Sequence, residues 1–193
     1  MADVDDSWEK FLHPETLKGN LVIIGLFISA FEIFREAVVS KPKTFFSNGF
    51  DEDGLILDDK YKEEVLSKSK RKLTASLLWF QEMGAITGDD IEAYHSIRKH
   101  RNDVTHEIVR FVSDADSNFD PEMFQRLFAL LDKIEKWWFQ NFEMAINPEI
   151  YPDSVDVDEV VAGPVWSLQL MLDIALGNEP EEGYYYEQYH KHT

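Results

Sequence analysis

The sequence predicts an all-α protein: a bundle of about five helices with a C-terminal helical extension. Three observations carry that prediction. Apolar residues recur at spacings of three and four over long stretches, the period of a helix with one buried face. Proline and glycine stand at the margins of those stretches, where helices start and stop. No run alternates apolar and polar residues as a half-buried strand would. With 193 residues, 44% of them hydrophobic, the chain suffices for one domain with a full core and is too short for two ample ones.

The elements follow in order. Ser7 to Leu12 is a short amphipathic turn. The first long helix starts at Pro14, with Glu15 near the positive end of its dipole, and presents Leu17, Leu21, Ile24, Phe27, Phe31, Phe34 and Val38 until Pro42 ends it. Phe45 to Asp59 is a loop marked by Asn48-Gly49 and Asp53-Gly54. A second helix runs from Asp58 or Asp59 to about Met83 through Tyr61, Val65, Leu73, Leu77 and Phe80, with the charged run Lys68 to Lys72 as a solvated face. Gly84 stops it. Thr87 and Asp90 form a capping box, so a third helix runs from near Gly88 to about Val112. Asp114 to Asn118 is a loop, and Asp120-Pro121-Glu122 opens a fourth helix carrying Phe124, Leu127, Leu131, Ile134, Trp138 and Phe142, with Phe128, Trp137 and Phe139 alongside. So many aromatic residues imply either burial on more than one face or a partner interface. Residues 1–147 thus make the bundle. Residues 148–193 add an acidic connector, one helix from Pro164 to Leu176, and a flexible tail from Glu179 with four tyrosines and two histidines.

Composition narrows the function. The chain has no cysteine, so disulfides and thiol chemistry are excluded and a cytoplasmic, reducing setting is expected. The acidic start lacks the basic region of a signal peptide. Leu21 to Phe31, the longest apolar run, falls short of the roughly 20 residues that span a bilayer, so no membrane association is expected. A formal charge of −18 disfavours general nucleic-acid binding. That charge is uneven: residues 1–59 balance at −7, residues 60–110 at +2 and residues 111–193 at −13. A local anion site in the middle of the chain therefore remains open.

The stretch from Ile97 to Glu107 is where that site would lie. On a helical wheel Ile97, Val104 and Ile108 fall within roughly 60° of Arg101, so this guanidinium lies inside the apolar stripe. It needs either a carboxylate partner, such as Glu32 or Glu36 of the first helix, or a cleft to line. Asn102 and His106 share another face, flanked by His95 and Lys99. Arg101 and His106 are separated by roughly 140° around the helix and about 7.5 Å along it. One straight helix cannot close both on a single phosphate, whereas two copies about a twofold axis could do so across a cleft.

The string Arg101-Asn102-Asp103-Val104-Thr105-His106, late in a helical chain without cysteine, resembles the hallmark of the HEPN superfamily: an arginine, a polar residue, and a histidine four to six residues after the arginine. The helix count suits that family over roughly residues 14–146. The resemblance implies a HEPN-like bundle and a homodimeric, metal-independent endoribonuclease of prokaryotic toxin–antitoxin or phage-defence systems, needing no cofactor and possessing an antitoxin or other protein partner. It assigns His106 as general acid or base, Arg101 as the group on the scissile phosphate, and Asn102 as their orienting neighbour. Arg98, Lys99, Lys70, Arg71 and Lys72 are candidates for RNA backbone contacts from their charge alone. The alternative is a catalytically inactive HEPN-like interaction module with an acidic surface. A third class, a ferritin-like metal site, rests on the Glu92/His95 spacing, whose only counterpart is Glu187 and His190 in the tail. No serine-nucleophile elbow and no glycine-rich phosphate loop is present.

Overall fold

A computed structural model describes residues 4–151 and 155–178, with Glu181, Gly183, Tyr184 and Tyr186 of the tail. The fold is mainly helical. Its axis is α2 (Pro14–Phe45), a 32-residue helix against which α3 (Lys72–Glu82), α4 (Gly88–His106), α5 (Ile108–Ser113), α6 (Pro121–Trp138) and α8 (Gly163–Ala175) all pack. Two further helices are short: α1 (Val4–Leu12) and α7 (Met144–Ile146). The 187–193 segment, and with it Glu187 and His190, lies outside the described residues, as does most of the expected flexible tail.

The main core is made where the predicted stripes meet. Phe27 and Phe34 of α2, Leu77 and Phe80 of α3, Tyr94 and Ile97 of α4, and Leu127, Leu131 and Ile134 of α6 are all fully buried. The aromatic side chains of α6 belong to this core: Phe124 and Trp138 are buried in it, and Phe128 and Trp137 pack against its edge. A smaller cluster of Ile24, Val104 and Val112 ties the end of α4 and the end of α5 to α2.

Four expectations are corrected. The first helix does not stop at Pro42. Pro42 has no N–H for the carbonyl four residues back, but it is buried, and the turn closes beyond it when Phe46 N–H donates to the Pro42 carbonyl at 3.1 Å. The loop over 45–59 contains an antiparallel hairpin, β1 (Ser47–Asp51) with β2 (Gly54–Leu57), in the register Phe50 opposite Leu55 and Asp51 opposite Gly54. Neither face of it is buried, so no alternation marked it. Its signal was Asp53-Gly54, where Gly54 takes φ +116°.

The expected second helix is broken. A π-helical turn (Tyr61–Val65) and a 3-10 turn (Leu66–Lys68) precede an extended Ser69 to Arg71, and α3 begins only at Lys72. Serine side chains supply the competing bonds: Ser67 Oγ donates to the Glu63 carbonyl and Ser69 Oγ accepts from Arg71 N–H at 3.2 Å. Lys68 and Lys72, four apart, would also repel on one helix face. The third helix ends at His106 rather than near Val112. Thr105 Oγ1 donates to the Arg101 carbonyl at 2.7 Å, a back-bond that bends helices. At Glu107 the backbone leaves helical geometry (φ −119°, ψ 31°) before α5 resumes.

Candidate functional site

α4 is well anchored at its start. Thr87 Oγ1 accepts from Asp90 N–H at 3.4 Å, and Asp90 Oδ2 accepts from Thr87 N–H at 2.7 Å, the reciprocal bonds of a capping box. Burial would push the Asp90 carboxyl up, but its bonds from Lys133 and from Thr87 outweigh that and hold it below the usual carboxylate range. Ile97 and Val104 then set the rotation of the helix, since both are fully buried. Arg101 lies about 60° from Val104 on the wheel and turns toward α2, whereas His106 lies about 200° from it and must face outward.

Arg101 meets both of the conditions its position demands. Its Nη2 donates to Glu32 Oε1 at 2.9 Å, its Nη1 donates to Asn102 Oδ1 at 3.4 Å, and its guanidinium carbon stands 5.3 Å from the centre of the Phe31 ring. Glu32 is itself shared, since its Oε2 lies 2.8 Å from Arg35 Nη2. Beyond this pair opens a cleft of about 330 Å³, walled by Phe31, Glu32, Arg35, Arg71, Tyr94, Arg98 and Asn102 around Arg101. Arg101 is therefore both ion-paired and cleft-lining.

A second cleft of about 430 Å³ adjoins the first. Ser69, Lys70, Arg71, Thr74, His95 and Arg98 line it, so Arg71 and Arg98 are walls of both. The extended break before α3 is what carries Lys70 and Arg71 to this place. Lys72 and Lys99 are exposed and border neither cleft. Of the residues singled out in the sequence, Arg101, Asn102, Arg98, Arg71 and Lys70 thus come together, and Lys72, Lys99 and His106 stand apart. His106 is the last residue of α4, exposed, and lines neither cleft.

Beside His106 two apolar residues are exposed among the charged Asp103, Glu107 and Arg110. Val109 is 70% exposed and Ile108 is 39% exposed. Val109 also walls a hollow of about 430 Å³ with Val4, Trp8 and Phe11 of α1. Lys10 pins α1 there, donating from Nζ to the carbonyls of Asp114 at 2.9 Å and Ser117 at 2.6 Å.

His100 went unnoticed in the sequence, although it lies on the same wheel face as Ile97 and Val104. Its ring centre is 5.1 Å from that of Phe119, 5.5 Å from Phe27 and 5.9 Å from Phe111, and its Nε2 accepts from Asp120 N–H at 3.4 Å. Burial pushes this imidazole below the ordinary histidine range, against the opposing pull of the Asp120 and Asp103 carboxylates. It is a half-buried histidine acting as acceptor.

No group of three or more His, Asp or Glu side chains among the described residues is close enough to hold a metal ion, and Glu92 and His95 gather no further ligands there. No helix among them is long and apolar enough to cross a membrane. Compared with models of protein families, with curated proteins and with solved structures, the chain matches none.

Proposed function

We propose that this chain is a metal-independent endoribonuclease of the HEPN kind, working through a site completed by two copies. The observation that carries the reading is the combination on α4: Arg101, held by Glu32 and Asn102 at the wall of a cationic cleft, and His106, exposed at the end of the same helix and without a partner among the described residues. A guanidinium so placed can fork onto the non-bridging oxygens of a phosphodiester and stabilise the charge that grows on them. An imidazole open to substrate can take a proton at one step and give it back at another.

In the reaction the ribose 2′-oxygen attacks the adjacent phosphorus while His106 takes its proton. The bond from phosphorus to the 5′-oxygen breaks, and the partner subunit's His106, protonated, donates to that leaving oxygen. The products are a 2′,3′-cyclic phosphate and a 5′-hydroxyl, and Asn102 keeps the Arg101 fork oriented throughout. The exposed apolar residues beside His106, Ile108 and Val109 with the α1 hollow, offer the surface on which a second copy would bring its histidine into reach.

The test is cleavage of single-stranded RNA by purified protein beside Arg101→Ala and His106→Ala. Each substitution is expected to lower the rate by about a hundredfold or more, the usual scale for removing a general acid–base group or a charge-stabilising donor. Equal cleavage by all three, or none by any of them across salt and pH, refutes the nuclease. One observation favours the second reading, a non-catalytic helical interaction module: Glu32 already occupies the guanidinium that a phosphate would need. That module binds its partner equally well with His106→Ala.

A further inference from the structure

The clefts on either side of Arg71 and Arg98 form one groove. Arg35, Lys70, Arg71, Arg98 and Arg101 line it against a single carboxylate, Glu32. This is a strong local reversal in a chain of net charge −18. Arg35 and Arg101 share that carboxylate, but Lys70, Arg71 and Arg98 have no ion-pair partner among the described residues. A protein with so many carboxylates has left three cations unneutralised side by side. The hydroxyls of Ser69 and Thr74 and the imidazole of His95 complete the second cleft.

We propose that this second cleft binds the phosphodiester next to the scissile one, so that the substrate is an extended single strand lying along the groove from Arg101 toward Lys70. The proposal rests on the ribonuclease reading for the meaning of "scissile", and the unpaired cations carry the rest. Arg98 and Arg101 are three apart on α4, which places their Cβ atoms about 5–6 Å apart, near the length of one nucleotide step in an extended strand. Arg71 reaches both clefts from the opposite wall and can bridge the two phosphates. The two clefts, of about 330 and 430 Å³, follow one another along the groove and give adjacent nucleotides of one strand a hollow each. The first turn of α3 has no side-chain cap, so its N–H groups add donors at the same place. His95 is exposed, and its imidazole ring can stack on a base. The groove therefore selects single-stranded RNA carrying a phosphate beyond the one at the reacting centre.

The test is fluorescence anisotropy of a short labelled single-stranded oligoribonucleotide in a His106→Ala background, so that substrate survives. The salt dependence of binding is compared with that of the same protein carrying Lys70→Ala and Arg71→Ala, both exposed and safe for the fold, and then Arg98→Ala as well. Each lost phosphate contact is expected to lower the slope of log affinity against log salt by about 0.7, hence by about 1.4 for the pair. A duplex of the same sequence should bind more weakly. Unchanged slopes, equal binding of the duplex, preference for an acidic peptide, or no RNA binding by any version overturns the proposal. Failure of the two readings is separable. If the slopes fall as expected but the unmodified chain cleaves nothing, the groove stands and the nuclease falls. If the chain cleaves and the slopes do not move, only the groove falls.

Discussion

Glu32→Ala tests whether the carboxylate on Arg101 competes with phosphate. Glu32 holds Arg101 at 2.9 Å and Arg35 at 2.8 Å, and the three side chains are 37%, 27% and 56% exposed respectively. None is sealed from water, so each pair belongs to the weak class of ion pairs, worth about 0.2–1 kcal/mol. The Arg101 pair, being the drier, belongs near the top of that range. Losing both contacts costs about 1 kcal/mol of stability, which lowers Tm by about 2–4 °C in a chain of this size. The same carboxylate must release Arg101 before a phosphate can take it. Removing it returns roughly 1 kcal/mol to the incoming anion, about a fivefold gain in affinity. The assay is anisotropy of labelled single-stranded RNA in the His106→Ala background, with a thermal melt alongside. Glu32→Gln should fall between, because it keeps an acceptor without the charge. RNA binding that is unchanged or weaker in a protein that still melts cooperatively would refute the reasoning, and Glu32 would then be a support for Arg101 rather than its competitor.

Two further outcomes follow from buried groups. Lys41 Nζ lies 2.7 Å from Glu135 Oε1, with side chains 12% and 5% exposed, so Glu135→Ala strands a lysine and should cost about 3–5 kcal/mol by denaturant unfolding. Replacing both with methionine should recover most of that loss, and an equal loss in the double variant would show that the charges themselves are required. For His100, the folded-state pKa lies below the ordinary 6.5 because burial disfavours the cation. Between those values the unfolded chain binds more protons, so the stability is retained above about pH 6.5 and falls as the pH drops from there toward the lowered folded-state value. Thermal melts between neutral and mildly acidic pH should show that decline, and His100→Gln should lack its histidine-dependent part. A decline unchanged by His100→Gln would assign it to other groups.

The helical character of this chain was legible because its apolar residues keep a period near 3.6 over long stretches, and burial of one face is what makes such a helix stable. Thr87 with Asp90 and Asp120 with Pro121 announced two helix starts for local reasons, and both stand where the spacing put them. The breaks were harder to see. Ser69 and Thr105 end or bend helices through single side-chain bonds to nearby backbone, which periodicity does not register. The hairpin escaped because a strand with no buried face needs no alternation. His100 escaped because a histidine among charged neighbours looks solvated until three phenylalanines are folded around it.

Sequence alone determined that Arg101 lies inside an apolar stripe and His106 outside it, since helix geometry sets their angular separation whatever surrounds them. It also required that Arg101 find a carboxylate or a cleft. Only the tertiary structure decided that it has both, that the carboxylate is Glu32, and that Arg71 and Lys70, remote in sequence, stand across from Arg98. The physical reason is distance along the chain. Local bonds and periodicity dictate which face a residue occupies, but which faces meet depends on how α2, α3 and α4 pack around one core.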